Sequence, residues 1–154
     1  MTHIHIDASE LLDLLEEHSG FRTGYIDKQT GEILVTFEDY DEPEQEEVLE
    51  QIRDDWDRYL KIEPIGSREG FRIMERFVES LPDGENRNLL FKVLSWKKPF
   101  SNFKSALCGM GDLRQHWFDF HDKALRKLAE VWLESEDVKA ELVSYQELSQ
   151  QENA

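Results

Sequence analysis

Residues 21–37 read FRTGYIDKQTGEILVTF, and they carry the pattern of a β-hairpin. Apolar and polar side chains alternate along residues 33–37, which is the period of two that a half-buried strand requires. DKQTG at residues 27–31 supplies Asp and Gly, the residue types that a tight turn needs on steric grounds. The stretch therefore predicts two antiparallel strands, residues 21–26 and 33–37, joined by a short loop.

A third strand is predicted shortly before Pro64, where Arg58 to Ile62 alternate in the same way. It can pair with the hairpin to give a small three-stranded antiparallel sheet. Apolar residues elsewhere keep helical spacing, so the sequence predicts an α+β fold, in which this sheet packs with a mainly C-terminal helical bundle. The predicted helices are residues 7–18 capped by Asp7, a polar helix from Pro43 with Val48, Leu49, Ile52 and Trp56 inward, residues 67–81 capped by Ser67, a short helix around residues 89–94, residues 99–107, and Leu113 to about Ser135 capped by Asp112.

The length of the chain, 154 residues, is that of one ordinary domain, and 39% of its residues are hydrophobic, enough to build a core. We expect a single α+β domain over residues 1–135. Residues 136–154 are acidic, and we expect them to form a C-terminal tail that frays or is disordered.

Cysteine content and hydropathy indicate the compartment. Cys108 is the only cysteine, so no intramolecular disulfide can form and a reducing environment is expected. The first six residues lack the basic stretch and apolar run of an export signal, and no segment approaches the ~20 apolar residues of a membrane span. We therefore expect a cytoplasmic protein that binds no membrane.

The charge of the chain is strongly negative and unevenly distributed. It has 34 acidic and 18 basic residues, a net charge of −16, which disfavours attraction to nucleic acid. Residues 1–84 carry a net charge of −15, residues 85–133 of +4 and residues 134–154 of −5. Either the acidic part packs beside the basic part, or a basic, aromatic-rich face serves a partner.

The histidines and carboxylates do not form a metal-binding motif. His116 and His121 lie five apart on one helix, about 140° around it, and cannot chelate one ion together. His3 and His5 share a face only if the N-terminus is a strand. The acidic run of residues 38–44 lacks the glycine and glutamate positions of a calcium loop. The sequence also has no nucleophile elbow, phosphate loop or dinucleotide fingerprint, so we expect neither metal nor cofactor.

The long predicted helix supplies the candidate site residues. Arg114 and His121 lie seven apart inside its apolar half, where each must find a partner or line an opening. They either bond carboxylates from the acidic half of the chain or contribute to a ligand or partner site. That half also holds Leu113, Trp117, Phe118, Phe120, Ala124, Leu125, Leu128, Ala129, Val131 and Trp132.

The order of motifs resembles the uncharacterised bacterial protein family numbered 0158, over roughly residues 6–135. The resemblance implies a single α+β domain of bacterial origin with no known activity, so it assigns no functional residues. The chain departs from the family pattern at residues 96–99, Trp-Lys-Lys-Pro, where the family tends to have a Gly-Lys-Gly-like approach to the next helix. The residues that carry the resemblance are Tyr25-Ile26-Asp27, Thr30-Gly31-Glu32-Ile33, residues 58–62, Gly70-Phe71, Met74, Phe77, Val78, Phe100, Phe103, Lys104, Ala106, Leu107, Arg114, Trp117, Phe118, Phe120, Ala124, Leu125, Trp132 and Leu133.

Two hypotheses for the function follow. The first is a non-enzymatic binding or regulatory module, a monomer or homodimer, that presents the basic, aromatic segment 96–121 to a protein or another acidic partner and binds no nucleic acid. The second is a small enzyme or ligand-binding protein. The residues expected at a ligand or partner site are Arg58, Tyr59, Arg114, Trp117 and His121; none is assigned a catalytic role.

The charge surplus generates a first prediction. Carboxylates recur every three residues after Pro43, at Glu44, Glu47 and Glu50, so repulsion should outweigh attraction between acidic and basic segments. We expect the melting temperature to rise between low salt and ~0.5 M sodium chloride, where the screening length is below ~5 Å. A melting temperature that falls over this range would show that attraction between the segments dominates.

Overall fold

The computed structural model describes residues 4–38 and 42–144, which divide into two compact units. Unit one contains the described residues up to Pro64 and from Arg126 onward, and unit two is Ile65–Leu125. In the sequence, residues 1–64 and 126–154 hold 26 acidic and 8 basic side chains, net −18, whereas residues 65–125 hold 8 and 10, net +2. The acidic surplus therefore belongs to unit one. The single domain expected over residues 1–135 stays a prediction.

Three antiparallel strands form the larger sheet of unit one, in the order β3-β2-β4. In the register, Ile26 of β2 lies opposite Ile33 of β3, and Tyr25 lies opposite Lys61 of β4. This confirms the predicted hairpin and third strand, with each strand boundary within one residue of the expected position. The strands are β2 (Arg22–Asp27), β3 (Ile33–Phe37) and β4 (Tyr59–Lys61).

A second, two-stranded sheet pairs β1 (Ile4–Asp7) in parallel with β5 (Ala140–Val143). Ile6 lies opposite Leu142, and both side chains are buried. The sequence had placed residues 136–144 in a fraying tail, and the structure instead contains a strand there. Its partner lies 136 residues earlier, so no local pattern indicates the pairing. The rest of the expected tail, residues 145–154, lies outside the described residues.

Two helices of unit one begin where the sequence predicts. The carboxylate of Asp7 caps α1 (Ala8–Leu15) by accepting a hydrogen bond from the Ser9 amide at 3.1 Å. The helix ends at Leu15, three residues before the predicted end. α2 (Pro43–Asp54) starts at Pro43 but buries no side chain completely.

Trp56 corrects the prediction for α2. The sequence places it on the inward face with Val48, Leu49 and Ile52, which are indeed half-buried, but Trp56 is 71% exposed. The α-helix ends at Asp54 and a single 3-10 turn follows, so Trp56 no longer continues the helical face.

Unit two is helical around a cluster of aromatic side chains. The ring of Trp117 lies 5.2 Å from that of Phe77 and 4.9 Å from that of Phe103, and Phe120 lies 5.4 Å from Phe77, all as distances between ring centroids. With the sheets of unit one, these helices confirm the α+β class with a mainly helical C-terminal half. The helices are α3 (Ser67–Ser80), α4 (Glu85–Leu94), α5 (Pro99–Cys108) and α6 (Asp112–Ser135), whose residues from Arg126 onward belong to unit one.

Helix ends and faces differ from the sequence expectations in detail. Gly66 occupies the N-cap position of α3, and Ser67 and Asp112, the expected caps, are the first residues of their helices. Phe118 and Val131 are 44% and 57% exposed, although the sequence placed both on the inward half of α6. An apolar half spans 180° of the helix, which is wider than the stripe of about 100° that packing usually covers.

Gly31 offers a test of the hairpin. Its φ of 83° is in the left-handed region, and an added Cβ would collide with the carbonyl oxygen of His5. We expect Gly31→Ala to lower the free energy of unfolding by about 2 kcal/mol or more, since strain and collision add. Circular dichroism of thermal unfolding would measure this. Gly109→Ala is the control, because its φ is −94° and its Cβ meets nothing closer than 3.9 Å, and it should leave stability unchanged or slightly higher.

Candidate functional site

The guanidinium of Arg58 is held by the carboxylate of Asp27 in unit one. Nε donates to Oδ1 at 2.9 Å and Nη2 to Oδ2 at 2.7 Å, and the Asp27 side chain is 5% exposed. The same Oδ1 accepts the amides of Gln29 at 2.9 Å and Thr30 at 3.3 Å. The two-pronged pair thus joins the start of β4 to the hairpin loop. This gives Arg58 a structural role, and its ligand-binding role stays a prediction.

Opposing effects set the pKa of Asp27. Burial raises it, but hydrogen bonds from Arg58, Gln29 and Thr30 and the charge of Arg58 lower it. The balance is a pKa below the ordinary value of 3.8. The carboxylate is therefore ionised near neutral pH and only accepts hydrogen bonds, whereas a general acid or base works best with a pKa near the working pH.

Tyr59 is buried beside this pair and is 7% exposed. Its hydroxyl accepts a hydrogen bond from Nε2 of Gln51 on α2 at 2.6 Å. Cζ of Arg58 lies 5.7 Å from the centre of its ring, within the range of a cation–π contact. Its burial and its hydrogen bond to Gln51 indicate that Tyr59 holds α2 to the sheet.

The other three predicted site residues lie on α6 in unit two. Trp117 is 6% exposed and belongs to the aromatic core, with its ring 5.0 Å from that of His121. Arg114 is exposed, and its Cζ lies 5.4 Å from the ring centre of Phe118. The structure thus brings Trp117 and His121 together, and it places Arg58 and Tyr59 side by side in unit one.

Sequence reasoning missed a cleft of about 500 Å³ on unit two. Arg68, Arg72 and Glu75 of α3 line it together with the rings of Phe71 and Phe100. The absence of a side chain on neighbouring Gly70 permits this geometry, because a Cβ there would lie 3.2 Å from the Phe100 ring. The four-residue spacing of Arg68, Arg72 and Arg76 is visible in the sequence. Glu75 and Glu79 lie next to this row of arginines on α3, so this side of the helix carries both positive and negative charges.

The helical hairpin of α4 and α5 is poor in acidic side chains, and Glu85 at the start of α4 is its one carboxylate. Residues 86–111 contain no Asp or Glu, but they contain one Arg and four Lys. Leu90 and Val93 of α4 and Phe103 and Leu107 of α5 are buried, so the hairpin covers its apolar inner face. Seven exposed residues of this segment are here called the α4–α5 surface: Leu89, Lys92, Trp96, Lys97, Lys98, Phe100, which also lines the cleft beside α3, and Lys104.

Large apolar side chains remain exposed on the α4–α5 surface. Trp96 is 50% exposed, Leu89 41% and Phe100 39%. Within the described ranges, none of its four lysines lies in an ion pair. Exposed apolar side chains and unpaired lysines thus occur on the same segment.

Lys98 adopts a backbone conformation that favours glycine. Its φ is 54°, and it directly precedes Pro99, the first residue of α5. This chain therefore holds a lysine at this position against a steric cost of about 1–2 kcal/mol.

Across residues 4–38 and 42–144, no three or more His, Cys, Asp or Glu side chains are grouped so that they could hold a metal ion. None of the helices in these ranges is both long enough and apolar enough to cross a membrane.

Comparison with known proteins confirms the resemblance seen in the sequence. A family model described as Uncharacterised protein family (UPF0158) matches residues 1–153. UPF0158 protein PA5073 of Pseudomonas aeruginosa is 28% identical over 115 residues, which cover 75% of this chain and 73% of that protein. No solved structure matches the chain.

The lowered pKa of Asp27 predicts a pH-dependent contribution to stability. Because the pKa of Asp27 is lower in the folded chain than its ordinary value of 3.8, the ionised carboxylate stabilises the fold at pH values above that ordinary pKa. This stabilisation is lost as the pH falls through the pKa of the folded state. We expect Asp27→Asn to lower the free energy of unfolding by about 1–3 kcal/mol at pH 7. The difference from wild type should shrink as pH falls below about 4.

Urea unfolding at pH 7 and at steps from pH 5 to pH 2.5 would measure the difference. Asp57→Asn removes an exposed carboxylate near Arg58 and is the matched control, with little effect expected at either pH. A difference between Asp27→Asn and wild type that stays constant over this range would contradict the assignment.

Proposed function

This chain belongs to the uncharacterised protein family UPF0158, whose description names no activity, and we propose that it is a non-enzymatic binding or regulatory module acting through protein–protein contacts. The observation that carries the proposal is the α4–α5 surface, where half-exposed Trp96 and Phe100 lie on a segment with four lysines and no acidic residue. Binding energy at protein interfaces concentrates on such aromatic anchors, surrounded by polar residues that set orientation.

The partner we propose is an acidic protein surface with an apolar centre. Trp96 and Phe100 would supply buried anchors, and the lysines around them would steer the encounter and suppress partners of the wrong charge. Nucleic acid is disfavoured as the partner, because it carries a phosphate at every nucleotide and the chain as a whole has a net charge of −16, whereas a protein partner needs only one acidic patch. Free, exposed Cys108 fits a reducing compartment, which supports the cytoplasm as the place where the partner is met.

The enzymatic alternative, with a site near Arg58, Tyr59, Arg114 and His121, has weaker support. The guanidinium of Arg58 is engaged by Asp27, and Tyr59 is 7% exposed. The depressed pKa of Asp27 also suits an ion pair better than proton transfer.

Charge reversal on the α4–α5 surface tests the proposal. We expect Lys97→Glu with Lys104→Glu to reduce capture of acidic protein partners from the native cells at least tenfold, since like charges across an interface cost several kcal/mol. Lys123→Glu with Lys139→Glu makes the same change of charge at exposed positions elsewhere and should capture as wild type does. Quantitative mass spectrometry of the captured material gives the measurement.

Melting temperatures of all three baits must agree before the comparison is made, because exposed substitutions change stability by about 0.5 kcal/mol at most. Equal capture by the two double variants would contradict the proposal. Recovery of nuclease-sensitive nucleic acid in place of protein would contradict the proposed partner class.

A further inference from the structure

Helix α2 carries a row of carboxylates that nothing in its own helix neutralises. Glu42, the N-cap residue of α2, and Glu46, Glu50 and Asp54 within the helix recur every four residues, about 6 Å apart along one side, and all four are exposed. Residues 42–57 hold eight acidic residues and one basic residue, net −7. This is one of the most concentrated charges in the chain.

The opposite side of α2 is already engaged, which leaves the carboxylate row facing outward. Gln45 makes two hydrogen bonds with the backbone of Phe37. Its Nε2 donates to the Phe37 carbonyl at 2.7 Å, and its Oε1 accepts from the Phe37 backbone N–H at 2.8 Å. Gln51 donates to the hydroxyl of Tyr59. Next to the end of the helix, Trp56 is 71% exposed and offers a large apolar anchor beside the acidic row.

The α4–α5 surface has the complementary composition. Residues 86–111 carry a net charge of +5 without a single carboxylate, and half-exposed Trp96 and Phe100 lie among the lysines. One chain therefore contains both an acidic helix with an exposed aromatic anchor and a basic surface with exposed aromatic anchors. The carboxylates of the one and the lysines and rings of the other are exposed to solvent.

We propose that the α4–α5 surface binds helix α2 of a second copy of this chain, and that two such contacts related by a two-fold axis form a homodimer. The inference rests on the proposed function and names its partner. In a two-fold arrangement, α2 of each copy binds the α4–α5 surface of the other copy, so every contact is made twice. Charge complementarity selects this occupant, because α2 supplies the acidic, partly apolar surface that the lysines and rings require.

The dimer differs from the single chain in its response to salt. Salt screens exposed ion pairs across an interface, so dimerisation should weaken as the salt concentration rises. Over the same range of salt concentration, screening relieves the repulsion between carboxylates within one chain and should raise its melting temperature. The two effects are separable because only the first depends on protein concentration.

Sedimentation velocity from 5 to 500 μM, at 50 mM and 500 mM sodium chloride, provides the test. Wild type should shift from monomer to dimer with concentration at 50 mM salt and dissociate at 500 mM. Lys97→Glu with Lys104→Glu, and separately Glu46→Lys with Glu50→Lys, should each weaken dimerisation at least tenfold. Lys123→Glu with Lys139→Glu is the control and should dimerise as wild type does.

Mixing the two interface variants is the decisive measurement. In the mixed dimer one contact pairs wild-type α2 with a wild-type α4–α5 surface, and the other pairs reversed lysines with reversed glutamates. The equimolar mixture should therefore recover dimers that neither variant forms alone. A wild type that stays monomeric to 500 μM, association that ignores either reversal, or a mixture that stays monomeric would overturn the inference.

Failure here is distinguishable from failure of the proposed function. A chain that is monomeric in sedimentation, yet captures a foreign acidic protein through Lys97 and Lys104, overturns the second-copy partner and leaves the binding module intact. Loss of both observations overturns both.

Discussion

The carboxylate of Asp27 connects all three strands of the larger sheet. It ends β2, accepts the amides that shape the loop to β3, and binds Arg58 at the start of β4. Backbone hydrogen bonds follow the same pattern, since the Lys28 amide donates to the Arg58 carbonyl at 2.8 Å and the Gly31 amide to the Asp27 carbonyl at 2.7 Å. One ionised group thus fixes the turn and the third strand together, and α2 is attached beside it through Tyr59.

The division of the chain into two units is also a division in net charge. The excess of carboxylates lies in unit one, where Asp27 is among the few that are buried and neutralised, and most others are exposed. Unit two is close to neutral as a whole, but its α4–α5 surface concentrates lysines because, apart from Glu85 at the start of α4, its acidic residues occur in α3, in α6 and in the loop after α3. Net charge alone would have concealed this surface. Its recognition depends on knowing which apolar side chains of the segment remain exposed.

Local signals in the sequence were sufficient to predict most strands and helices. They were not sufficient where the structure depends on a contact between residues far apart in the sequence. The hairpin follows from alternation and turn residues within 17 positions, and Pro43 and Asp7 mark helix starts by their own chemistry. The partner of Arg58 lies 31 residues away, so the sequence could not show that its guanidinium is held in an ion pair with Asp27. Periodicity likewise placed Trp117 correctly on an inward face, but it could not tell a core residue from a ligand-binding one. The exposed α4–α5 surface was foreseen only in part, through the basic aromatic segment 96–121.

The parallel pairing of β1 with β5 has a consequence for how the chain folds during synthesis. Ile4 leaves the ribosome 136 residues before its partner Ala140, a delay of roughly 7–27 s at ordinary elongation rates. Unit two, 61 consecutive residues, can meanwhile form its mostly local helical contacts. Throughout this interval β1 lacks its partner strand, and its backbone N–H and C=O groups stay unpaired. Chaperones bind segments of this kind, which aggregate if no chaperone is bound.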